Sequence, residues 1–209
     1  MICVSIANIT FDTLMQEISN LEMIELRMDL LSFTEEEYKT ILATKRPTIA
    51  TYRNAEDTVR EKALKLMIKQ GVEYVDIEID GDRLFIETMI DFAKVHRTKV
   101  ILSYHNYEET PSQEQLETII KDAQILNPNY IKIVTKANTE SDIARILSLY
   151  QLNRNLIAFN MGEIGRISRI ASLYLGADFT YGAWSDKHKT AEGQWSHSEM
   201  KQIMSFFEQ

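Results

Sequence analysis

A lysine set among β-branched residues, Ile131-Lys132-Ile133-Val134, has the most chemistry to explain. Burying an ammonium in a central strand is costly unless it reaches water or meets a partner. A neutral amine can attack a ketone and form an imine. Once protonated, that imine is an electron sink that makes the adjacent C–H acidic, so a base is needed beside it. His105 ends the run Val100-Ile-Leu-Ser-Tyr-His105, and Glu78 lies in the run Tyr74-Val-Asp-Ile-Glu-Ile79. A histidine can both take and return a proton near neutral pH, and a carboxylate on its other ring nitrogen fixes the tautomer. The three residues together predict proton abstraction beside a carbonyl through a covalent imine, with no cofactor and no metal. His105 with Glu78 and Asp80 could instead hold a divalent ion, and His105 alone could be a hydrogen-bonded core residue. The nearby lysine weighs against the ion. His96, in a helix, and His197, at a helix start, read as surface residues.

The elements that must position these groups alternate along the chain. Strands are expected at Ile2–Ala7, Met23–Met28, Thr48–Arg53, Tyr74–Ile79, Val100–His105, Tyr130–Thr135, Leu156–Met161 and Asp178–Gly182. Helical patterns separate them. Thr34 with Glu37, Thr139 with Asp142 and Ser196 with Glu199 carry capping-box or similar spacing. Thr110-Pro111 reads as a helix start, and Gly71 and Gly176 as helix stops. Strand-then-helix repeated eight times points to a closed parallel (β/α)₈ TIM barrel forming one domain over residues 1–209. The alternative, an open doubly wound sheet, usually has a glycine-rich turn after its first strand, whereas Asn8-Ile9-Thr10 follows here.

Side chains alternate across a strand. Glu25, Arg27 and Asp29 therefore oppose Ile24, Leu26 and Met28; Asp76, Glu78 and Asp80 oppose Val75, Ile77 and Ile79; Lys132 opposes Ile131 and Ile133. Ser103 and His105 share a face, and Arg53 follows Thr51. In a barrel the polar set points inward, and residues late in each strand reach the C-terminal mouth, where active sites of this fold lie. For Glu25, Arg27 and Asp76 a structural salt-bridge layer is the competing reading. Glu78, His105 and Lys132 fall on consecutive strands ~4.8 Å apart, with His105 between a carboxylate and an amine.

Composition limits the partners. The net charge of −8 argues against general nucleic-acid binding but leaves room for an anionic small substrate met by a local arginine cluster. Cys3 is the only cysteine, which excludes an internal disulfide and fits a reducing compartment. No apolar run approaches a membrane span, and the start of the chain reads as a buried strand, so a cytoplasmic location is expected.

Taken in order, Glu25-Leu-Arg27-Met-Asp29, Thr51-Tyr-Arg53, Asp76-Ile-Glu78, Ser103-Tyr-His105-Asn106, Ile131-Lys132-Ile133, Met161-Gly162 through Gly165 to Ser168-Arg169, Tyr181-Gly182 and Gly193-Gln194 resemble the type I 3-dehydroquinate dehydratases nearly end to end. Each motif alone is weak; their order at strand ends is specific. The resemblance implies that Lys132 forms the imine with the C3 ketone of 3-dehydroquinate. His105 then removes a C2 proton and helps expel the C1 hydroxyl as water, and Glu78 orients His105. Arg169 clamps the substrate carboxylate; Glu25, Arg27, Arg53 and Gln194 hold the ring hydroxyls; Met161 and Tyr181 line the apolar side; Ser5 and Thr190 complete the set. The product is 3-dehydroshikimate, and the family suggests a homodimer. Residues 182–195 correspond to a lid. Here Thr190-Ala-Glu-Gly-Gln194 stands where relatives often carry Ser-Ala-Pro-Gly-Gln, and Tyr181 stands where phenylalanine is usual. A lysine-imine aldolase with a phosphate cradle around Gly162 and Gly165, and a binding barrel that has lost its activity, are the other readings.

Overall fold

The computed structural model describes residues 1–53, 55–151 and 153–207. Eight strands, β1 (Ile2–Ile6), β2 (Met23–Arg27), β3 (Thr48–Thr51), β4 (Tyr74–Glu78), β5 (Lys99–Asn106), β6 (Tyr130–Lys136), β7 (Leu156–Met161) and β8 (Thr180–Ala183), alternate with eight helices. The helices are α1 (Phe11–Glu17), α2 (Glu35–Ala43), α3 (Asp57–Lys69), α4 (Arg83–Val95), α5 (Gln113–Ile125), α6 (Glu140–Ser148), α7 (Ser168–Tyr174) and α8 (His197–Ser205). All strand pairs are parallel, in the order β7-β6-β5-β4-β3-β2-β1-β8. This is the (β/α)₈ barrel that the alternation predicts.

Among the described residues no ladder joins β7 to β8, so side chains close the circle there. The Phe159 and Tyr181 rings lie 5.8 Å apart, and Arg169 from α7 donates to the Tyr181 carbonyl at 3.3 Å, an acceptor that an amide of β7 would otherwise take.

The strand alternation builds two cores. Outward residues such as Val4, Ile24, Val75, Leu102 and Ile133 pack under the helices. Inside the barrel, Cys3, Met23, Ile49, Tyr74, Ile101, Ile157 and Phe179 form an apolar floor. Tyr74, Tyr130 and Phe179 close its lower end with ring centroids 5.6–6.1 Å apart. The polar residues sit one layer higher, on a surface that offers them no water from below.

Local starts and stops mostly follow the sequence. Thr34 with Glu37 and Ser196 with Glu199 form reciprocal capping boxes, and Gly71 and Gly176 take φ values of +84° and +111° after α3 and α7. One start differs. α5 begins at Gln113, capped by Ser112 with Gln115 reciprocating, instead of at Pro111. Two amides are satisfied by that box, whereas the Thr110 hydroxyl turns inward and donates to the Lys136 carbonyl at 2.8 Å. β3 also ends at Thr51, leaving Arg53 just past the strand, and β8 runs slightly later than the pattern suggests.

Candidate active site

Strand register sets the site. Ser5 lies beside Glu25, Arg27 beside Thr51, Thr51 beside Asp76, and Ser103 between Glu78 and Lys132. His105 aligns with Val134, so it stands one layer above Lys132, nearer the mouth. Every site residue expected from the sequence except Glu78 lines one pocket at the C-terminal end of the strands.

Lys132 is buried, and its amine is held from two sides. It donates to Asp76 Oδ2 at 3.0 Å and lies 3.7 Å from Glu25 Oε1. The contact with Asp76 crosses from β6 to β4 over Ser103 of β5, a side chain small enough to let them meet. Asp76 Oδ1 accepts from Ser103 at 2.6 Å and from Arg53 at 2.8 Å. Burial would raise Asp76, but Lys132 and Arg53 hold it well below the usual carboxylate range. Glu25 is likewise lowered against its burial, chiefly by Lys132. It accepts from Ser5 at 2.8 Å and from Thr51 at 2.9 Å. Asp76 is thus the nearest partner of the amine. The sequence placed it on the inward face without a role, and that parity was the signal available.

His105 faces Glu78, with Nδ1 3.5 Å from Oε1, longer than a good hydrogen bond. Glu78 also contacts Arg53. Burial tends to raise Glu78, but His105 and Arg53 bring it down to about 2. His105 is lowered to about 4, first by burial and then by Arg53, with Glu78 opposing. The imidazole is therefore uncharged at neutral pH. The Tyr107 ring lies nearly parallel to it at 6.0 Å. Tyr107, Val134, Phe159 and Ala191 also line the pocket and were not expected. Tyr107 and Val134 continue the inward parity of β5 and β6 and could have been read from it.

Arg27 is tied to Asp29 by two hydrogen bonds of 3.0 and 2.7 Å. Arg169 is different. It is buried, has no carboxylate partner among the described residues, and rests 4.4 Å above the centre of the Phe159 ring. Its Nε has no hydrogen-bond partner among the described residues, and burial pulls its pKa from 12.5 down to about 9. A cation held this way is built for an anion from outside the protein. Tyr181 lies beneath the amine, its ring centre 4.1 Å from Lys132 Nζ, and its buried hydroxyl has no partner among the described residues.

The segment after β8 covers the mouth. Gln194 Oε1 accepts from the Thr190 amide at 2.9 Å and from its hydroxyl at 3.2 Å, so the Gln194 NH₂ group remains to donate elsewhere. Gly193 takes φ +70°, and a Cβ added there would lie 2.2 Å from the Gly162 carbonyl oxygen. Gly193→Ala is therefore expected to lift the lid and lower kcat/KM by roughly 10- to 100-fold, since misplacement of about 1 Å can cost 10²-fold. The melting temperature should barely move. Unchanged kinetics would show that residues 190–194 do not act in turnover.

Among the described residues no group of three or more His, Cys, Asp or Glu side chains is arranged to hold a metal ion. No helix is long and apolar enough to cross a membrane. What the mouth offers is a buried amine, an uncharged imidazole and an unneutralised guanidinium around one pocket. With the barrel beneath it, this defines an enzyme built to work on a carbonyl carbon in an anionic molecule.

Comparison narrows that class: the chain belongs to the type I 3-dehydroquinase family, whose model matches residues 2–209. A 3-dehydroquinate dehydratase of Thermococcus onnurineus is 36% identical over 152 residues, 73% of this chain and 68% of that protein. One from Desulfotalea psychrophila is 30% identical over 219 aligned positions, covering 98% of this chain and 96% of that protein. The crystal structure of the 3-dehydroquinate dehydratase from Aquifex aeolicus superposes with a TM-score of 0.86 at 27% identity, covering 99% of this chain and 98% of that one. A 3-hexulose-6-phosphate synthase from Salmonella typhimurium, at 14% identity and TM-score 0.68, shares the fold alone.

Proposed function

We infer that the barrel mouth dehydrates 3-dehydroquinate to 3-dehydroshikimate, the reaction of a hydro-lyase in the shikimate pathway, through an imine on Lys132. The observation that carries this is the pairing of Lys132 and Arg169 around one pocket: an amine for the ketone and a free guanidinium for the carboxylate.

Uncharged His105 accepts the lysine proton, and the amine adds to the C3 carbonyl. His105 returns that proton to the hydroxyl of the adduct, which leaves as water; this gives the protonated imine and an uncharged His105 again. Its positive charge then sits where the ammonium was, so Asp76 and Glu25 stabilise the iminium without rearranging. His105 removes a C2 proton to give an enamine. The enamine expels the C1 hydroxyl, which leaves as water with the proton returned from His105. Hydrolysis of the conjugated imine consumes one water, frees Lys132 and releases the product. Glu78 supports the transient imidazolium. Arg53 orients the Glu78 and Asp76 carboxylates, and Ser5, Glu25, Arg27 and Gln194 face the ring hydroxyls. Met161 and Tyr181 supply apolar wall, and Thr190 orients Gln194. No cofactor or metal is needed at any step.

A phosphate-binding aldolase is disfavoured by the turn after β7. The Gly162 amide, which a phosphate cradle would use, already donates to the Glu192 carbonyl at 3.1 Å. The enzyme is best read as one catalytic domain over residues 1–209, acting as a cytoplasmic homodimer. The family resemblance and a single buried thiol, Cys3, support this. Light scattering on the purified protein decides the oligomeric state.

Borohydride reduction with 3-dehydroquinate, followed by peptide mapping, tests the chemistry. A stable adduct on Lys132 is expected; no adduct under conditions of turnover would exclude the imine. pH gives a second test. Free histidine titrates near 6.5, whereas His105 is held near 4. The acid limb of kcat/KM should therefore fall near pH 4. The stability gained by keeping His105 uncharged is complete above about pH 6.5 and is lost as pH falls from there toward 4. Thermal unfolding measured alongside the pH–rate profile checks both, and an acid limb near 6.5 would contradict a buried, uncharged His105.

A further inference from the structure

One ion pair at the mouth has no part in the chemistry above. Lys136 ends β6 on the same face as Lys132 and is paired in register with Met161 of the pocket wall. Its ammonium lies 3.5 Å from the carboxylate of Glu192 in the lid, with the two side chains 35% and 61% exposed. The backbone of Glu192 is anchored at the same place, because its carbonyl accepts from the Gly162 amide at 3.1 Å. The next residue, Gly193, packs so closely on the Gly162 carbonyl that a Cβ would not fit. Side chain and main chain of one lid residue are thus fastened to the ends of two adjacent strands. Thr190 and Gln194, which line the pocket, flank that point.

We propose that Lys136 and Glu192 are positioning residues that latch the lid over an anionic substrate, an inference that rests on the dehydratase reading for the identity of that substrate. With the lid raised, the pair is broken, and Lys136 is an unneutralised cation at the mouth of a chain whose net charge is −8. It draws a carboxylate toward the pocket. As the lid descends, Lys136 neutralises Glu192, whose charge would otherwise face the bound anion. The same cation therefore serves entry and then closure. Partly exposed ion pairs contribute little, so the effect is two- to fivefold, not orders of magnitude.

Two measurements on the full-length enzyme test the latch. In steady-state kinetics with 3-dehydroquinate, Lys136→Met and Glu192→Gln should each raise KM two- to fivefold with kcat nearly kept. The double variant should be no worse than the poorer single, and the exchanged pair Lys136→Glu/Glu192→Lys, which restores the latch alone, should have a lower KM than Lys136→Glu by itself. In the ligand-free protein, tryptic cleavage after Lys187 and Lys189, mapped by mass, should quicken two- to fivefold in each single variant and slow again in the exchanged pair. Strictly additive kinetic effects, or cleavage at the wild-type rate in every variant, would overturn the latch. If the wild-type protein fails to dehydrate 3-dehydroquinate, the functional reading fails, and the cleavage rates still decide the latch.

Discussion

Lys132→Ala should abolish turnover, with kcat falling by on the order of 10⁴-fold or more, the scale expected when a covalent catalyst is removed. Among the described residues no other amine is placed to replace it: Lys136 is at the rim and paired with Glu192. The barrel should survive. Asp76 loses the bond to its Oδ2 but keeps Arg53 at 2.8 Å and Ser103 at 2.6 Å, and Glu25 keeps Ser5 and Thr51. The cost should be about 1–3 kcal/mol for the orphaned acceptor, against a typical total stability of about 5–15 kcal/mol. Lys132→Met fills the space and should cost less. Both variants should give native circular dichroism and no borohydride adduct. Retained turnover in either would exclude the lysine imine, whereas loss of the folded signal in both would show that the amine is chiefly a structural counter-charge for Asp76.

Arg169→Met should separate activity from stability in opposite directions. Arg169 is 2% exposed, with one 3.3 Å bond to the Tyr181 carbonyl and an aromatic ring below its guanidinium. Burial alone depresses its pKa, and among the described residues no carboxylate offsets this. The ligand-free enzyme thus carries an uncompensated buried cation, a cost that the substrate carboxylate removes on binding. Methionine has no charge to desolvate and keeps much of the volume. The melting temperature should rise by a few degrees, at roughly 2–4 °C per kcal/mol for a chain of this size. kcat/KM should fall by roughly 10²–10³-fold, as when one partner of a buried charge pair is lost. Lysine should not rescue, because it lacks the planar fork that binds a carboxylate through two bonds. A lower melting temperature would mean that Arg169 mainly closes the β7–β8 seam.

The alternation of strands and helices, and the inward face of each strand, were legible because a two-residue period forces polar and apolar side chains to opposite sides whatever their neighbours are. This placed Lys132, His105, Glu78, Glu25 and Arg27 inside the barrel, and the order of motifs named the family. The local pattern was weaker at helix starts. Thr110-Pro111 carries the right residue types, but the Ser112–Gln115 box satisfies more amides, and Thr110 is drawn into contacts with β6.

The pairing of charges was decided only by the tertiary structure. On sequence, three consecutive strands suggested carboxylate, imidazole and amine side by side. The register of the barrel instead sets His105 level with Val134 and Ser103 level with Lys132. The amine therefore reaches over a serine to Asp76, two strands away, while His105 meets Glu78 nearer the mouth. Stagger between strands is a property of the closed sheet, and no single strand encodes it. The same is true of Arg169, Phe159 and Tyr181, which meet at the one seam without a ladder, and of Glu192, which reaches Lys136 only when residues 190–194 fold over the mouth. Sequence periodicity determines which face a side chain takes; which partner it finds there depends on strand offset and loop path, both set by how the whole barrel closes.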